Sequence, residues 1–392
     1  MALSVSKNSD THHVLLGVSQ TAKTNNSRIV ASGIDTFSMG FCITQYLATE
    51  EDFSVLAAAK LKAQGKGFNK DGCPFTWFGQ DFMLSPKGTR GYEWVLVNSD
   101  VSICIAKSAK GGASLPEVRA YFRSEFLWRV GFKLSYGKVL AWLKTWCVVC
   151  AEKVSRVDLT VDMSLALPNL DLANEVVTRA RSKTEHREEN KLEKHYSGSC
   201  VTGYSFGRRE MILARIYNKP LEIKVQSHKE WFYDIWKANG WDCVAPVTRF
   251  EFQVNRKILH EYQVDSFSDL TSRLGDIWRY LTVNWLTLRT PGRTKEHYRW
   301  AVKDYWQELQ NCTEERFGKI EGVLRWNQKN PILEQLKKTI RGTVVTGEAV
   351  SQEIHGSYSG SRDFRSWLFS IFDEACYQSD VAGRRKRLAE FK

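Results

Sequence analysis

The chain has 392 residues and a formal net charge of +12, from 56 Lys and Arg against 44 Asp and Glu. Hydrophobic residues make up 43% of it, with 14 Trp, 14 Tyr and 20 Phe, which excludes a wholly disordered protein. The basic surplus favours a polyanionic partner, of which nucleic acid is the commonest. Net charge alone also fits a basic protein without that role.

Missing targeting and cofactor motifs narrow the possible classes of protein further. The polar N-terminus has no signal-peptide core, and no apolar run approaches the roughly 20 residues that span a bilayer, so we expect a cytoplasmic protein without membrane contact. Cys147 and Cys150 have the spacing of metal ligands, but no second pair follows, which favours core packing. Neither GxGxxG nor a phosphate-binding GxxxxGK loop is present, so helicase, kinase and dinucleotide chemistry have no support.

Hydrophobic patterning predicts an α+β fold with a large curved antiparallel or mixed sheet flanked by helices, and a helical C-terminal unit. Strands are predicted in chain order at 33–44, 81–85, 92–98, 101–107, the start of 116–130, 155–165, 202–207, 211–218 and 247–255. Helices are predicted at 51–64, 138–153, 170–183, 227–239 and over most of the chain after 258. Three regions follow: a flexible arm over 1–30, an α+β domain over 31–258, and a mainly helical region with a basic tail over 259–392. The two strand–helix runs could be related halves.

The strand predicted at 155–165 carries charge on one face. Side chains two apart in a strand share a face, so Arg156, Asp158 and Asp162 point the same way. Two neighbouring carboxylates are typical of a site for a hard cation. The surface of an ordinary edge strand has the same pattern, so this strand alone leaves both interpretations open.

The strand predicted at 211–218 contains a tyrosine between two cations. Arg215 and Tyr217 alternate with Lys219 and can face one way. Flanking cations attract a phosphodiester, favour the phenolate and stabilise a charged transition state, which suits a nucleophilic tyrosine. A half-buried tyrosine between snorkelling neighbours is the plainer alternative.

The strand predicted at 247–255 places Arg249, Glu251 and Gln253 on one face and two phenylalanines on the other. Glu251 could complete a metal site with Asp158. A salt bridge between Arg249 and Glu251 along the strand is the alternative.

Taken together, the order R-x-D-x-x-x-D, R-I-Y-N-K-x-x-E and R-x-E resembles the Rep_trans family, the rolling-circle replication initiators of plasmids and phages with the related relaxases of integrative elements. The resemblance runs over about 116–310 and is clearest over 155–256. Residues 202–208 are similar to the lead-in that precedes the family's tyrosine strand. The His-hydrophobic-His motif of other nicking superfamilies is absent.

The resemblance implies that Tyr217 nicks one DNA strand, keeps a 5′-phosphotyrosine and releases a 3′-hydroxyl that primes synthesis. Tyr204 is a second candidate nucleophile. The implied ligands of a Mg²⁺ or Mn²⁺ ion are Asp158 and Glu251, with Asp162 or Glu222 as further ligands. The cations expected to neutralise the phosphate are Lys219, Arg215 and Arg249, and those expected to contact DNA are Arg156, Arg208 and Arg209.

The implied partners are origin DNA, single-stranded or cruciform, and a host helicase, while a homodimer is left open. Three alternatives also remain open from the residues: a conjugative relaxase with the same chemistry, a non-catalytic DNA-binding replication regulator, and an RNA-binding or RNA-processing protein.

Overall fold

The computed structural model describes residues 28–65, 72–109, 115–187 and 201–322. The basic tail, most of the predicted N-terminal arm and the predicted helices after residue 322 lie outside the described residues. Within the described ranges, no helix combines the length and apolar character needed to cross a membrane.

The strands of the described residues form one large sheet and one small sheet, and each pair of neighbours is antiparallel. In chain order they are β1 (Ile29–Tyr46), β2 (Cys73–Trp77), β3 (Gln80–Leu84), β4 (Trp94–Val97), β5 (Val101–Ile105), β6 (Val118–Phe122), β7 (Cys147–Ser164), β8 (Val176–Thr178), β9 (Lys183–Arg187), β10 (Val201–Gly207), β11 (Ile212–Asn218), β12 (Val247–Asn255) and β13 (Leu286–Leu288). The large sheet has the order β2-β3-β4-β5-β6-β1-β7-β12-β11-β10-β9, and β13 pairs with β8. The predicted α+β class is thus confirmed, and the described sheet is antiparallel rather than mixed.

Helices connect the strands and cover the sheet. They are α1 (Glu50–Gln64), α2 (Ser124–Val130), α3 (Phe132–Leu143), α4 (Lys219–Glu222), α5 (Trp231–Ala238), α6 (Arg256–Glu261), α7 (Phe267–Arg279), α8 (Asp304–Asn311) and α9 (Thr313–Phe317). Two π-helical turns, Ile223–Ser227 and Tyr280–Trp285, extend α4 and α7, and His297–Arg299 form a 3₁₀ turn.

The sheet consists of two halves with the same connection order. Each half opens with an 18-residue strand, β1 or β7, and these two strands pair at the centre. After each long strand, the chain builds a ladder whose last strand, β6 or β12, lies beside the long strand that opened the half. The related halves considered from the sequence therefore have a counterpart in the topology.

The two faces of the sheet differ in chemistry. On the core face, Phe37 of β1 lies 5.0 Å from Phe132 of α3 and 6.0 Å from Phe267 of α7, as ring-centroid distances. In the second half, Phe252 of β12 lies 5.4 Å from Trp278 of α7. Helices after residue 258 therefore share a core with the sheet, and the described residues belong to one compact unit. The opposite face, called the polar face below, carries the charged residues of β7, β11 and β12.

Two sequence predictions of helix were wrong. Most of 170–183 contains turns and β8, because Val176, Val177 and Thr178 are β-branched and pair with β13. The apolar run 138–153 is helical only to Leu143, and β7 already begins at Cys147. A short apolar run is compatible with the hydrophobic period of a helix and with that of a strand. Here, pairing with β1 stabilises the strand. Cys147 is buried, as core packing requires, whereas Cys150 is exposed.

Candidate active site

The register of three central strands brings the predicted residues together on the polar face. Glu251 of β12 lies between Thr160 of β7 and Arg215 of β11. Two residues earlier on β12, Arg249 lies between Asp162 and Tyr217. Directly paired side chains lie on one face, so the tyrosine, the arginines and the carboxylates share one surface.

Tyr217 is hydrogen-bonded to a carboxylate. Its hydroxyl donates to Oε2 of Glu251 at 2.8 Å, and the side chain is half-buried. Burial raises the pKa of Tyr217 well above its ordinary value, and the negative Glu251 raises it further, although the positive Arg249 opposes the rise. The phenol is therefore protonated at neutral pH, and Glu251 is aligned to accept its proton.

The strand that carries Tyr217 ends one residue later at a capped helix. Oδ1 of Asn218 accepts a hydrogen bond from the backbone N–H of Leu221 at 3.0 Å, which caps α4. Lys219 opens α4; its buried Nζ is bonded to Glu222 and lies 5.7 Å from the ring centroid of Tyr217. Burial, and then the neighbouring Arg249, lower the pKa of Lys219.

Asp158, Glu251, Arg156 and Arg215 form a group called the outer cluster below. Nε of Arg156 donates to Oδ1 of Asp158 at 2.8 Å. The guanidinium of Arg215 contacts Glu251 and lies 3.7 Å from Oδ2 of Asp158. Burial raises the pKa of Asp158 to about 6, with Arg156 lowering it and Glu251 raising it. Two buried negative groups thus lie close together, partly compensated by two arginines.

An inner cluster surrounds Arg249, whose side chain is fully buried. Nε and Nη2 of Arg249 donate to the two oxygens of Asp162 at 2.6 and 2.7 Å, and Nη1 donates to Asp35 at 3.2 Å. The guanidinium carbon lies 4.2 Å from the ring centroid of Phe232. Arg249 therefore pairs with aspartates across the sheet and not with Glu251 along its own strand, and its charge reaches the site without being exposed.

Helix α5 closes over this inner cluster. Phe232 and Trp236, four residues apart, lie on its buried face, and Nε1 of Trp236 donates to Oδ2 of Asp162 at 2.9 Å. Asp162 is thus tied to Arg249 and Trp236, while Glu222 is tied to Lys219 and Ser227. Asp158 and Glu251 likewise accept hydrogen bonds, from Arg156 and from Arg215 and Tyr217, so all four predicted metal ligands have side-chain donors.

Asp158 and Glu251, which both contact Arg215, are candidate ligands of a divalent ion. Among the described residues, no group of three or more His, Cys, Asp or Glu side chains is arranged to hold a metal. Mg²⁺ needs fewer protein ligands, because it usually takes one or two carboxylates and completes its shell with substrate phosphates and water. The raised pKa of Asp158 also reflects repulsion by Glu251, which a cation would relieve. Both carboxylates are bound to arginines, so an ion at this pair would have to replace some of those contacts.

Three other predicted residues lie apart from this cluster. Tyr204 is buried on the core face, and its hydroxyl accepts a hydrogen bond from the backbone N–H of Leu170 at 3.0 Å. Arg208 and Arg209 are exposed in the turn before β11, and Tyr217 lies near the other end of that strand.

Asp35 and Gly203 belong to the site but were not singled out from the sequence. Asp35, in β1, accepts hydrogen bonds from Ser124 at 2.7 Å and Trp128 at 3.1 Å besides its contact with Arg249. In the sequence, Asp35 could have been noticed as a single aspartate within a largely apolar strand. Gly203 lies directly opposite Tyr217, and a Cβ at this position would lie 2.7 Å from the Cβ of Tyr217.

Comparison with solved structures finds a distant similarity to a rolling circle replication initiator protein from Geobacillus stearothermophilus. The identity is 15% and the TM-score 0.43, over 76% of this chain and 99% of the other. No protein-family model matches the sequence, and no curated protein matches it either. The function must therefore be argued from the site itself.

Proposed function

We propose that this protein is a replication initiator that nicks one DNA strand at an origin with Tyr217 as the nucleophile. The proposal depends on the 2.8 Å hydrogen bond from the Tyr217 hydroxyl to Glu251, beside the partly exposed guanidinium of Arg215 on the polar face. A nucleophile within hydrogen-bond reach of a base is the arrangement that covalent catalysis requires.

The reaction is a transesterification in which no phosphodiester energy is lost. The Oη of Tyr217 forms a bond to phosphorus as its proton passes to Glu251. The bond from phosphorus to the 3′-oxygen breaks, and that oxygen takes up a proton to become a free 3′-hydroxyl. The protein keeps the 5′-phosphate as a phosphotyrosine, so the reverse reaction can rejoin the strand without ATP.

Each cation has a separate part in this proposal. Arg156 and Arg215 are about one-third exposed and can contact the phosphate, whereas Arg249 and Lys219 are buried and act through their charge. When bound by Asp158 and Glu251, Mg²⁺ or Mn²⁺ would polarise a non-bridging phosphate oxygen. Origin DNA and a host helicase in the cytoplasm are the partners that this function requires.

The proposal is tested on supercoiled plasmid that carries a candidate origin, with Mg²⁺ present. We expect the wild-type protein to relax the plasmid and to remain attached to DNA after denaturation. Tyr217→Phe should lose both activities but keep DNA binding, and Tyr204→Phe should keep all three because its hydroxyl faces the core. Nicking by Tyr217→Phe would overturn the assignment, and a wild type that binds without nicking would indicate a non-catalytic regulator.

A further inference from the structure

Tyr121 of β6 is an exposed aromatic on the polar face, outside the cluster around Tyr217. Its side chain is 40% exposed, whereas Ala120 and Phe122 beside it are buried on the core face. Its neighbours across the sheet are Ser102 of β5 and Ser38 of β1, both small. Neither serine is large enough to cover the ring.

Arginines flank this ring on its own strand. Nη1 of Arg119 donates to the hydroxyl of Tyr121 at 3.1 Å, with the guanidinium carbon 5.7 Å from the ring centroid. Arg123, exposed at the end of β6, donates to Ser102 at 3.4 Å. Within the described residues, Nε of Arg119 is buried without a hydrogen-bond partner. An aromatic ring between two guanidinium groups has the composition of a contact for a base and its phosphates.

The register connects this ring to the candidate active site. Ser38 is paired with Tyr121 on one side and with Arg156 on the other, so these two residues lie on one row about 10 Å apart, which is two strand spacings. Arg156 is bonded to Asp158 within the outer cluster. A strand whose phosphate lies at Tyr217 could therefore continue across the polar face to Tyr121.

We infer that Tyr121 is a stacking platform for an unpaired base of the nicked strand, with Arg119 and Arg123 contacting its phosphates. This inference rests on the proposed function, and it adds that the polar face binds the nicked DNA as a single strand. The bases of a duplex already stack on each other, so a protruding ring binds single-stranded DNA preferentially.

The test measures binding of fluorescein-labelled oligo-dT of about 16 nucleotides, the upper end of a single-strand site. All proteins carry Tyr217→Phe and EDTA is present, so no cleavage occurs. We expect Tyr121→Ala to weaken binding on the order of tenfold, as for loss of one stacked base. Tyr121→Phe should bind like the parent, because stacking needs the ring and not the hydroxyl.

Tyr298→Ala is the matched control, since Tyr298 is 61% exposed and has Arg299 5.5 Å from its ring but lies outside the sheet. It should bind like the parent. A second readout is photocrosslinking to oligo-dT that contains 5-iodouracil, which should map to residue 121. Unchanged binding by Tyr121→Ala, or crosslinks elsewhere only, would overturn the inference and leave the proposed nicking intact. A parent that does not bind oligo-dT, or prefers oligo-U, would contradict the proposed DNA function itself.

Discussion

The hydroxyl of Tyr217 and the carboxylate of Glu251 belong to different strands, and their meeting depends on a register that neither strand specifies alone. Within each strand, the period of two predicted which side chains share a face, and those groupings agree with the structure. The pairing of Tyr217 with Arg249, rather than with another residue of β12, is set by the neighbouring strands and the turns between them.

Glu251→Gln removes the proposed proton acceptor and weakens the proposed metal ligand at the same time. The amide keeps the shape but cannot take the phenol proton, so we expect nicking to fall by about 10²–10⁴-fold, the usual contribution of a general base. DNA binding should persist. Rates are measured by single-turnover cleavage of a labelled strand. An unchanged rate would assign the proton to another acceptor.

Asp35 predicts a pH dependence of stability. Burial raises the pKa of this carboxyl, but Arg249, Lys229 and Lys219 outweigh burial and hold it below its usual range. A group whose pKa is depressed on folding stabilises the fold above its unfolded pKa, about 3.9, and that stability is lost as the pH falls further. Urea unfolding should therefore show that Asp35→Asn loses less stability on acidification than wild type does. Parallel losses in the two proteins would contradict this.

At the scale of elements, β12 matches its predicted range, 247–255, and β1, α1 and β11 differ from theirs by a few residues. Each of these segments has a clear hydrophobic period or a helix-capping signal in its sequence. The predicted helix at 170–183 failed because its β-branched residues pair with β13, more than a hundred residues later in the chain. Asp35 was missed for the same reason, because its partner Arg249 comes from the other half of the sheet.

Gly203 shows how one strand positions another. A methyl group there would lie 2.7 Å from the Cβ of Tyr217 and 2.8 Å from the carbonyl oxygen of Ile216, so Gly203→Ala must displace β10 from β11. We expect a loss of about 1–3 kcal/mol in the free energy of unfolding, together with slower nicking. Both are measured on the same preparation, by urea unfolding and by strand cleavage.

Gly137→Ala is the control for this substitution. Gly137 lies inside α3 with nothing within 4 Å of the added methyl group, so alanine should stabilise the fold by roughly 0.5–1 kcal/mol. If Gly203→Ala is as stable and as active as wild type, the close approach of β10 has no role in placing Tyr217.

At the scale of the whole molecule, the net charge of +12 predicts that DNA binding weakens steeply with salt. Each phosphate neutralised on a single strand contributes roughly 0.7 to the slope of log K against log salt concentration. Replacing both exposed arginines of the β10–β11 turn, Arg208 and Arg209, with alanine should lower that slope by about 1.4 if each contacts a phosphate. An unchanged slope in a fluorescence titration would place the DNA elsewhere.

The most direct test of the central claim follows two labels on a single DNA strand that contains the candidate origin, incubated with the protein and Mg²⁺. If Tyr217 forms a 5′-phosphotyrosine, a label at the 3′ end becomes attached to the protein in denaturing gels, and a label at the 5′ end is released on a fragment ending in 3′-hydroxyl. Mass spectrometry should find the attached nucleotide on residue 217. Attachment at another residue, or transfer of the 5′ label to the protein, would contradict the account.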